Sequence, residues 1–405
     1  MNVEEDSADT LDSALYRRNN AIEDRFGITI VETIADDDAS LLRTLLTAGD
    51  DTFHLVNLRC GDALTFWQEN LVYSISDIPH VDLTQPYWAQ KLNDSLTLGG
   101  NQYVAIGAYD INVLDLTYAL IFNKQMVENY DMESPYTLVN EGRWTIDAMY
   151  NMMTEVVDDI NGDGKYDEND RWGFLSHAKM VLPNFWIGAG ELSIVKDSSD
   201  SPVLNMTSER FVNIFNRVFE ITWDAKTWYE PQDDEYDVPT DNLEIFAAGN
   251  ALFMDMSFYF IEDLRDVNTE FGIVPYPKYD ESQSEYYSRV SYYWATMVPT
   301  SNTDLEMTGA ILEALNCESA NTVVPAYYDV ALKTKYSRDE ESAAMLDLIF
   351  ENRIVDLGDT VLCGDIRDGF MYDMFESNKR QLASYIQRRQ SKLNKLINEM
   401  KETPE

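Results

Sequence analysis

The chain has 405 residues, of which 45% are hydrophobic and 12% aromatic, so it can bury enough apolar surface for two globular lobes. Its 72 acidic and 30 basic residues give a net charge of −42, which disfavours binding to nucleic acid and to anionic membrane surfaces. The three cysteines share no CxxC spacing, which argues against a disulfide framework and a zinc cluster.

Helices and strands alternate at the start of the chain. Apolar residues at helical spacing predict a helix over 11–26, and the β-branched run 28–31 predicts a strand after it. A second helix over about 39–48 and a second strand over 54–58 follow. This β-α-β order predicts parallel strands with a helical crossover. Ligands of such sheets bind beyond the carboxyl ends of the strands, so we expect the loop 59–62 near a ligand.

The rest of the chain continues the mixed pattern. Thr145 is a plausible N-cap for a long helix ending near 157, and the apolar stripe of a basic C-terminal helix predicts packing against the body of the protein. A helix break is expected at Pro325. Further strands are predicted over 103–106, 118–122, 251–254 and 271–277, further helices over 124–130, 304–316, 338–352 and 378–401, and polar loops over 197–201 and 231–241.

Residues 159–170 match a twelve-residue calcium-binding loop. The template requires oxygen ligands at positions 1, 3, 5, 7, 9 and 12 and glycine at position 6, where this chain has Gly164. The ligand positions are held by Asp159, Asn161, Asp163, Lys165 through its carbonyl, Asp167 and Asp170. Carboxylates crowded in so short a loop repel one another, and a bound cation removes that penalty. The sequence therefore predicts a structural Ca²⁺ site.

Two positions of this loop depart from the template. Tyr166 stands where an aliphatic residue is usual, and Asp170 has a shorter side chain than the usual glutamate. Residues 171–174 do not continue as a helix, and no second loop is present to pair with the first, so a calcium sensor that opens a groove is not expected. The alternative is an acidic turn without a metal ion.

Short segments spread over nearly the whole chain form a series. They are RRNN (17–20), FGITI (26–30), YALIFNK (118–124), GRWTID (142–147), FAAGNALFM (246–254), GIVPYP (272–277) and WATMVPTSN (294–302). In this order and spacing they resemble family 1 extracellular solute-binding proteins of ABC importers, the maltose-binding type. The calcium loop resembles an insertion of some members. Members carry a first strand before the helix at residue 11, and the ten acidic and polar residues that precede it here offer none, so the strand order of lobe 1 is open.

The resemblance implies an α/β, type II periplasmic-binding-protein fold with a ligand cleft between two lobes. Lobe 1 would comprise 1–116 and 288–330, and lobe 2 would comprise 117–287 and 331–405, including the calcium loop 159–170. It also implies a non-enzymatic, monomeric substrate-binding component that closes on an extracellular carbohydrate, most simply an oligosaccharide, and delivers it to membrane permease subunits. Family members are membrane-anchored extracellular lipoproteins; neither a signal peptide nor an anchor cysteine is evident here, and no stretch approaches a membrane span.

Sugars are held by aromatic rings against their C–H faces and by planar polar groups against their hydroxyls. Aromatic candidates lie at the inferred hinge and in predicted loops, and charged candidates follow or interrupt apolar segments. The predicted ligand-binding residues are Trp294, Tyr292, Trp88, Trp186, Asp62, Asp110, Asp255 and Arg367. For each of them the alternative is an ordinary core or solvated residue.

Three other functions are compatible with the composition. A glycoside hydrolase needs two carboxylates at a set separation, and an acid-rich chain offers such pairs by chance. A calcium-dependent adhesion or scaffold module would present a flat surface to a protein partner. Within the solute-binding family, a peptide or another polar solute could replace the sugar. Turnover of a glycoside would indicate a hydrolase. Closure around a small ligand would indicate a solute-binding protein and not an adhesion or scaffold module.

Overall fold

The computed structural model describes residues 9–33, 39–231, 240–260, 264, 267, 269–328 and 340–402. The helices are α1 (Thr10–Phe26), α2 (Ala39–Thr47), α3 (Cys60–Gln68), α4 (Gln90–Leu96), α5 (Asn112–Asp115), α6 (Lys124–Asn129), α7 (Pro135–Asn140), α8 (Ile146–Val156), α9 (Ala178–Gly188), α10 (Glu209–Phe219), α11 (Thr240–Ala247), α12 (Leu305–Asn321), α13 (Val323–Ala326), α14 (Glu340–Glu351), α15 (Tyr372–Glu376) and α16 (Leu382–Glu399). The strands are β1 (Val56–Arg59), β2 (Tyr118–Asn123), β3 (Trp172–Leu175), β4 (Ile194–Lys196), β5 (Pro202–Leu204), β6 (Trp228–Tyr229), β7 (Ala251–Ser257), β8 (Phe271–Val274), β9 (Ser288–Arg289), β10 (Trp294–Met297) and β11 (Arg353–Ile354).

A mixed sheet of five strands, in the order β6-β3-β7-β2-β8, organises the middle of the chain. β3 runs parallel to β6 and β7, whereas β2 runs antiparallel to β7 and β8. Every residue of β2 is buried, as expected of an interior strand with an apolar run instead of alternation. The predicted strands over 118–122, 251–254 and the first part of 271–277 are thus confirmed.

The predicted parallel pair near the start of the chain is wrong. β1 pairs antiparallel with β10, which comes from far along the sequence, with Leu58 opposite Ala295. The run 28–31 forms no strand in the described ranges; instead Ile28 and Ile30 pack as half-buried residues near Ile22 of α1. A β-branched run becomes a strand only where another strand accepts its backbone hydrogen bonds, and no strand in the described part of the chain pairs with this one.

The run 103–106 is also not a strand, although Tyr103, Val104, Ala105 and Ile106 are each at most 1% exposed. Its backbone is instead partly tied by side chains: Asn93 accepts a hydrogen bond from the Ile106 N–H at 2.7 Å and donates one to the Ile106 carbonyl at 3.0 Å. The apolar run predicted burial correctly, but burial alone does not determine the backbone conformation.

The helix boundaries follow from local capping. Gly27 closes α1 with a φ of 66°, a left-handed conformation that favours glycine. The Thr145 hydroxyl accepts the Ala148 N–H at the start of α8, as predicted. The break predicted at Pro325 is instead at Thr322, because Pro325 lies in the first turn of α13, where its missing N–H costs no helical hydrogen bond.

The C-terminal segments pack against the half of the molecule that carries the five-stranded sheet. α14 packs on β8 and α15 on α9, and Trp223 donates its indole N–H to the Phe375 carbonyl at 3.0 Å. α16 buries the predicted apolar stripe, with Leu382, Ile386, Leu393 and Ile397 facing inward. It also reaches α3, where Gln68 donates to the Glu399 carbonyl.

Two backbone contacts connect the half of the molecule that carries the five-stranded sheet to the part that carries β1 and β10. Thr117 forms an isolated bridge with Val290, and the Ser291 N–H donates to the Leu116 carbonyl at 3.3 Å. The predicted lobe boundaries after 116 and before 288 lie close to these contacts, and the exact division stays a prediction. Among the described helices, none has the length and apolar character needed to cross a membrane.

Candidate functional site

A buried ion network lies beside the crossing strands. Arg289, on β9, makes two hydrogen bonds to the Asp359 carboxylate, at 2.7 and 2.8 Å. Arg367 approaches the same carboxylate at 3.3 Å and also donates to the Ser291 hydroxyl at 3.0 Å. All three charged side chains are at most 1% exposed. The two guanidinium groups hold the pKa of the Asp359 carboxyl below its usual value despite burial, so Asp359 remains the anion that balances them.

Asn184 of α9 links this network to Asp255 of β7. Its amide donates to an Asp255 oxygen at 3.0 Å, and its carbonyl oxygen accepts from Arg289 at 3.1 Å. Burial raises the pKa of Asp255 to about 7, with hydrogen bonds from Ser176 and Asn184 opposing the shift. The predicted site residues Asp255 and Arg367 are therefore joined through Asn184, Arg289 and Asp359.

Tyr292 connects the network to the partly exposed surface. The Arg367 guanidinium lies 4.2 Å from the centre of the Tyr292 ring, and the Lys179 ammonium lies 5.8 Å from it. Lys179 forms an ion pair with Asp368 at 3.2 Å. Tyr292 has a φ of 60°, which is uncommon for a bulky residue and costs about 1–2 kcal/mol. Such strain persists where the surroundings fix a side chain, which favours a positioned functional ring.

Trp294 presents a second aromatic ring at the start of β10. It is half-buried, and the exposed Arg59 of β1 stacks over it with its guanidinium carbon 5.0 Å from the ring centre. The Asn112 side chain accepts the Trp294 N–H at 2.9 Å and donates to its carbonyl at 3.2 Å, which fixes the strand. Asp62 lies partly exposed in the first turn of α3, directly after β1. The predicted loop 59–62 is therefore a strand end and a helix start.

Three predicted site residues lie in the interior instead. Trp88 and Trp186 are each 2% exposed, and their indole N–H groups donate to Glu313 at 3.2 Å and to Asp356 at 2.7 Å. Trp186 also lies in α9 and not in a loop, because α9 is apolar on all sides and buried over most of its length. Neither ring offers a face to a ligand.

Asp110 is the third, at 3% exposed. Its carboxylate accepts the Gly107 N–H at 3.0 Å and the Thr296 hydroxyl at 2.7 Å, so it fixes the backbone near β10. Burial raises the pKa of Asp110 to about 6. Both oxygens of this carboxylate are therefore engaged by donors of the protein itself.

Arg59 falls in the loop 59–62 that the sequence places near a ligand, whereas sequence reasoning missed the other residues that assemble the site: Lys179, Asn184, Arg289, Asp359 and Asp368. The sequence did offer a signal for Arg289. The chain has only 30 basic residues, and this one stands among apolar and aromatic residues that predict burial, where a charged side chain is rare unless it is paired. Asp359 lies 70 positions and Asn184 lies 105 positions from Arg289 in the sequence, and nothing local marks either residue.

The predicted calcium loop has an ordered backbone in which carboxylates cap amides. Asp159 accepts the N–H groups of Gly162 at 2.7 Å and Gly164 at 2.8 Å, and Asp163 accepts that of Lys165 at 2.8 Å. Gly164 has a φ of 80°, so the turn requires glycine at this position. Asp170 is fully buried, and its Oδ1 atom has no hydrogen-bond partner within the described residues.

The loop is anchored to the five-stranded sheet at its C-terminal end. Trp172 donates its indole N–H to the Asp167 carbonyl at 2.9 Å and stacks on Tyr229, with ring centres 4.6 Å apart. No group of three or more His, Cys, Asp or Glu side chains converges as a ready metal cluster in the ranges that the structure describes. The residue types fit Ca²⁺, and binding would require exposed carboxylates of the loop to turn inward around the buried Asp170 oxygen.

No protein-family model matches the chain, and no curated protein is similar to it in sequence. Solved structures are similar over nearly the full length. A cyclic alpha-maltosyl-1,6-maltose binding protein from Arthrobacter globiformis has a TM-score of 0.65 at 12% identity, covering 97% of this chain and 96% of that one. An ABC substrate-binding protein from Listeria monocytogenes, in complex with cycloalternan, has a TM-score of 0.62 at 12% identity, covering 96% and 97%.

A third structure, UgpB from Mycobacterium tuberculosis in complex with glycerophosphocholine, has a TM-score of 0.61 at 15% identity, covering 96% of this chain and 98% of that one. Each comparison covers at least 96% of both chains, so the similarity includes both lobes and not one shared domain. The chain therefore has the two-lobed α/β fold of ABC-transporter solute-binding proteins, as the sequence predicts.

Proposed function

We propose that this protein is the substrate-binding component of an ABC importer and that it captures a carbohydrate by closure of its lobes. The observation that carries the proposal is the two-lobed fold, shared over nearly the whole chain with proteins that bind oligosaccharides. Function does not follow from fold alone, so the site must supply the chemistry.

The site favours a sugar in two ways. Tyr292, in the bend before β10, and Trp294, at the start of β10, give aromatic rings for the C–H faces of a pyranose. Lys179, Asp368 and Arg59 supply charged and planar groups that can pair with hydroxyls. We propose that Tyr292, Trp294, Asp62, Asp255 and Arg367 contact or position the ligand, and that an oligosaccharide spans both lobes.

The proposal is tested by thermal melting against a panel of mono- and oligosaccharides, with glycerophosphocholine and short peptides as the other solute classes. A ligand that binds only the folded state stabilises it by about 2.7 kcal/mol at a hundredfold excess over its dissociation constant. We expect one sugar class to raise the melting temperature. A rise with peptide or glycerophosphocholine alone would replace the sugar with that solute.

An enzyme acting on glycosides is the second candidate. Asp255 is buried and the Glu230 side chain is 22% exposed; burial raises the pKa values of both carboxyls to about 7, and Asp255 contributes to the shift of Glu230. Pairs of this kind occur in glycosidases. We favour binding over catalysis because hydrogen bonds from Asn184 and other buried groups already occupy Asp255. Release of reducing sugar from any bound glycoside would establish the enzyme instead.

We also propose a structural Ca²⁺ ion in the loop 159–170, held by Asp159, Asn161, Asp163, the Lys165 carbonyl, Asp167 and Asp170. The buried, unpaired Asp170 oxygen supports it, since a cation would satisfy an atom that is otherwise costly to bury. The ion would brace the start of β3 through Trp172. Calorimetric titration with Ca²⁺ after chelation tests this. Binding should vanish in Asp170→Asn and persist in Asp158→Asn, which lies outside the ligand positions; equal binding by both variants would contradict the site.

Transport requires a partner and a location. We propose that the protein acts as a monomer outside the cytoplasm, anchored as a lipoprotein, and delivers its ligand to permease subunits in the membrane. The acidic surface, with a net charge of −42, supports association with a protein partner over anionic lipid. Reconstitution with candidate permeases tests the proposal: ligand-dependent stimulation of ATP hydrolysis is expected, and a calcium-dependent adhesin would show binding to a protein without it.

A further inference from the structure

A cavity of about 250 Å³ is lined by none of the residues Arg289, Asp359, Arg367, Tyr292 and Trp294, and distant parts of the chain meet in it. Its walls come from residues 86–114, from α12 and α13, and from the end of α14 with β11. Apolar groups form most of the lining: Pro86, Ala89, Ile106, Ala108, Ile111, Val113, Leu114, Ala320, Val324 and Phe350. A polar sugar does not suit such a surface, whereas an apolar ligand body does.

Arg353 is the one cationic residue among those that line this cavity. Its Nε donates to the Phe350 carbonyl at 3.0 Å, and its guanidinium carbon lies 5.4 Å from the centre of the Phe350 ring. These contacts fix the base of the guanidinium in the wall of the cavity. Within the described ranges, no carboxylate forms an ion pair with it.

The environment of Arg353 confirms that its charge is poorly compensated. Burial lowers the pKa of Arg353 to about 10, and the groups that oppose this shift are the hydroxyls of Tyr328 and Tyr327, not carboxylates. Arg353 is half-buried, and a partly desolvated guanidinium without an anion is costly, in contrast to the balanced pair of arginines around Asp359.

The acidic groups at the cavity do not serve as its partner. Both oxygens of the Asp110 carboxylate accept hydrogen bonds, from Gly107 and Thr296, and Glu351 is an exposed residue. Tyr87 donates its hydroxyl to Glu313. The cavity therefore combines apolar walls with one cation that has room for an anion.

We propose that this cavity binds a small organic monocarboxylate with an apolar body, whose carboxylate pairs with the Arg353 guanidinium. A fork of two N–H groups matches a carboxylate in a bidentate pair. A dry cavity of about 150 Å³ holds a benzene ring, so about 250 Å³ accommodates a ring with a short acidic arm. Because three separate segments form the walls, the bound acid would tie them together.

Phenylacetate is a suitable probe, and phenylacetamide and phenethylamine are its neutral and cationic counterparts. Binding is measured by calorimetry and thermal melting in 150 mM salt, where the Debye length of about 8 Å screens the overall negative charge. We expect phenylacetate to bind at least tenfold more tightly than either counterpart. Arg353→Gln should remove this preference, and Arg388→Gln, a change on the exposed face of α16, should leave it unchanged.

Ala320→Phe provides a second variant in case the loss of Arg353 impairs folding. It keeps the guanidinium and fills the cavity, so binding of phenylacetate should fall at least tenfold while the unliganded melting temperature stays near that of the wild type. Equal binding of the acid and the amide, no binding by the wild type, or unchanged binding in Ala320→Phe would each overturn the proposal. Sugar binding at the Tyr292–Trp294 site is measured in the same variants and should be unaffected, which separates the two proposals.

Discussion

At the scale of single residues, Asp359 balances two buried arginines. Arg289 and Arg367 are held within 2.7 and 3.3 Å of its carboxylate, and all three side chains are at most 1% exposed. A buried ion pair adds little net stability over an apolar replacement, but removing one member leaves the other charges uncompensated. The network therefore acts mainly to fix the positions of β9 and of the turn that begins at Arg367.

Asp359→Asn should be strongly destabilising. The substitution keeps the volume but leaves two guanidinium groups without an anion, so we expect a loss of about 3–5 kcal/mol in the free energy of unfolding. Urea denaturation measures it. Asp373→Asn is the matched control, because its pair with Lys379 is 51% and 40% exposed and such pairs contribute about 0–1 kcal/mol. A small effect for Asp359→Asn would mean that water enters the network.

Trp294→Ala should weaken sugar binding. Its half-buried ring is held by Asn112 and covered by Arg59, so removal takes away a preformed platform, and we expect at least a tenfold rise in the dissociation constant, or about 1.4 kcal/mol. Calorimetry with the sugar found in the melting screen measures it. Phe26→Ala, on a 37% exposed aromatic residue at the end of α1, is the control. Unchanged affinity in Trp294→Ala would exclude this ring from the site.

Sequence alone could select aromatic residues but not their surroundings. Trp294 and Trp186 are both tryptophans in mixed apolar contexts, yet one is half-buried beside Arg59 and the other is 2% exposed and bonded to Asp356. The difference depends on residues 170 positions away, in the case of Asp356 and Trp186. Long-range contacts of this kind leave no local mark in a single sequence.

At the scale of elements, α8 depends on a cap that the sequence did predict. Thr145→Ala removes the acceptor for the Ala148 N–H at the start of this helix. We expect a loss of about 1 kcal/mol in the free energy of unfolding, and Thr145→Ser should retain most of it because the hydroxyl remains. Denaturant titration of both variants checks this. Equal losses for the two would mean that the methyl group and not the hydroxyl matters.

Strands were predicted well where they have neighbours in the sheet and poorly where they do not. β2 and β7 are long apolar runs paired along their lengths, and both were found in the sequence. The runs 28–31 and 103–106 are also rich in β-branched and apolar residues, yet neither is a strand. Strand formation is a property of a pair, whereas composition reports only one member. Helix ends carry their own signals in caps and glycines, so they were predicted more closely.

At the scale of the whole molecule, burial of acidic groups gives stability a definite pH dependence. Burial raises the pKa values of Asp110 and Asp356 to about 6 and of Asp255 and Glu230 to about 7. Each of these groups holds a proton in the folded state over a pH range in which the unfolded chain has lost it. Folding therefore takes up protons between about pH 4 and 7, and stability falls as the pH rises through that window.

The melting temperature should rise as the pH is lowered from 8 to about 5.5. Protonation of the buried carboxyls and partial neutralisation of a chain with a net charge of −42 act in the same direction. Below about pH 4 the trend should reverse, because the pKa values of Asp359 and Asp368 are lowered in the folded state. Calorimetry in buffers of matched ionic strength measures the curve. A midpoint that increases steadily from pH 5.5 to 8 would contradict the assignment.

The side chains beside β10 have a consequence for the kind of molecule that this protein can take up. Asn112 occupies both the N–H and the carbonyl of Trp294, and Asp110 accepts the N–H of Thr296. An extended peptide binds a sheet edge through the backbone groups that the edge leaves open. At those two residues both N–H groups and the Trp294 carbonyl are occupied, so a guest cannot form the full set of strand hydrogen bonds there and is recognised through its own ring faces and hydroxyls.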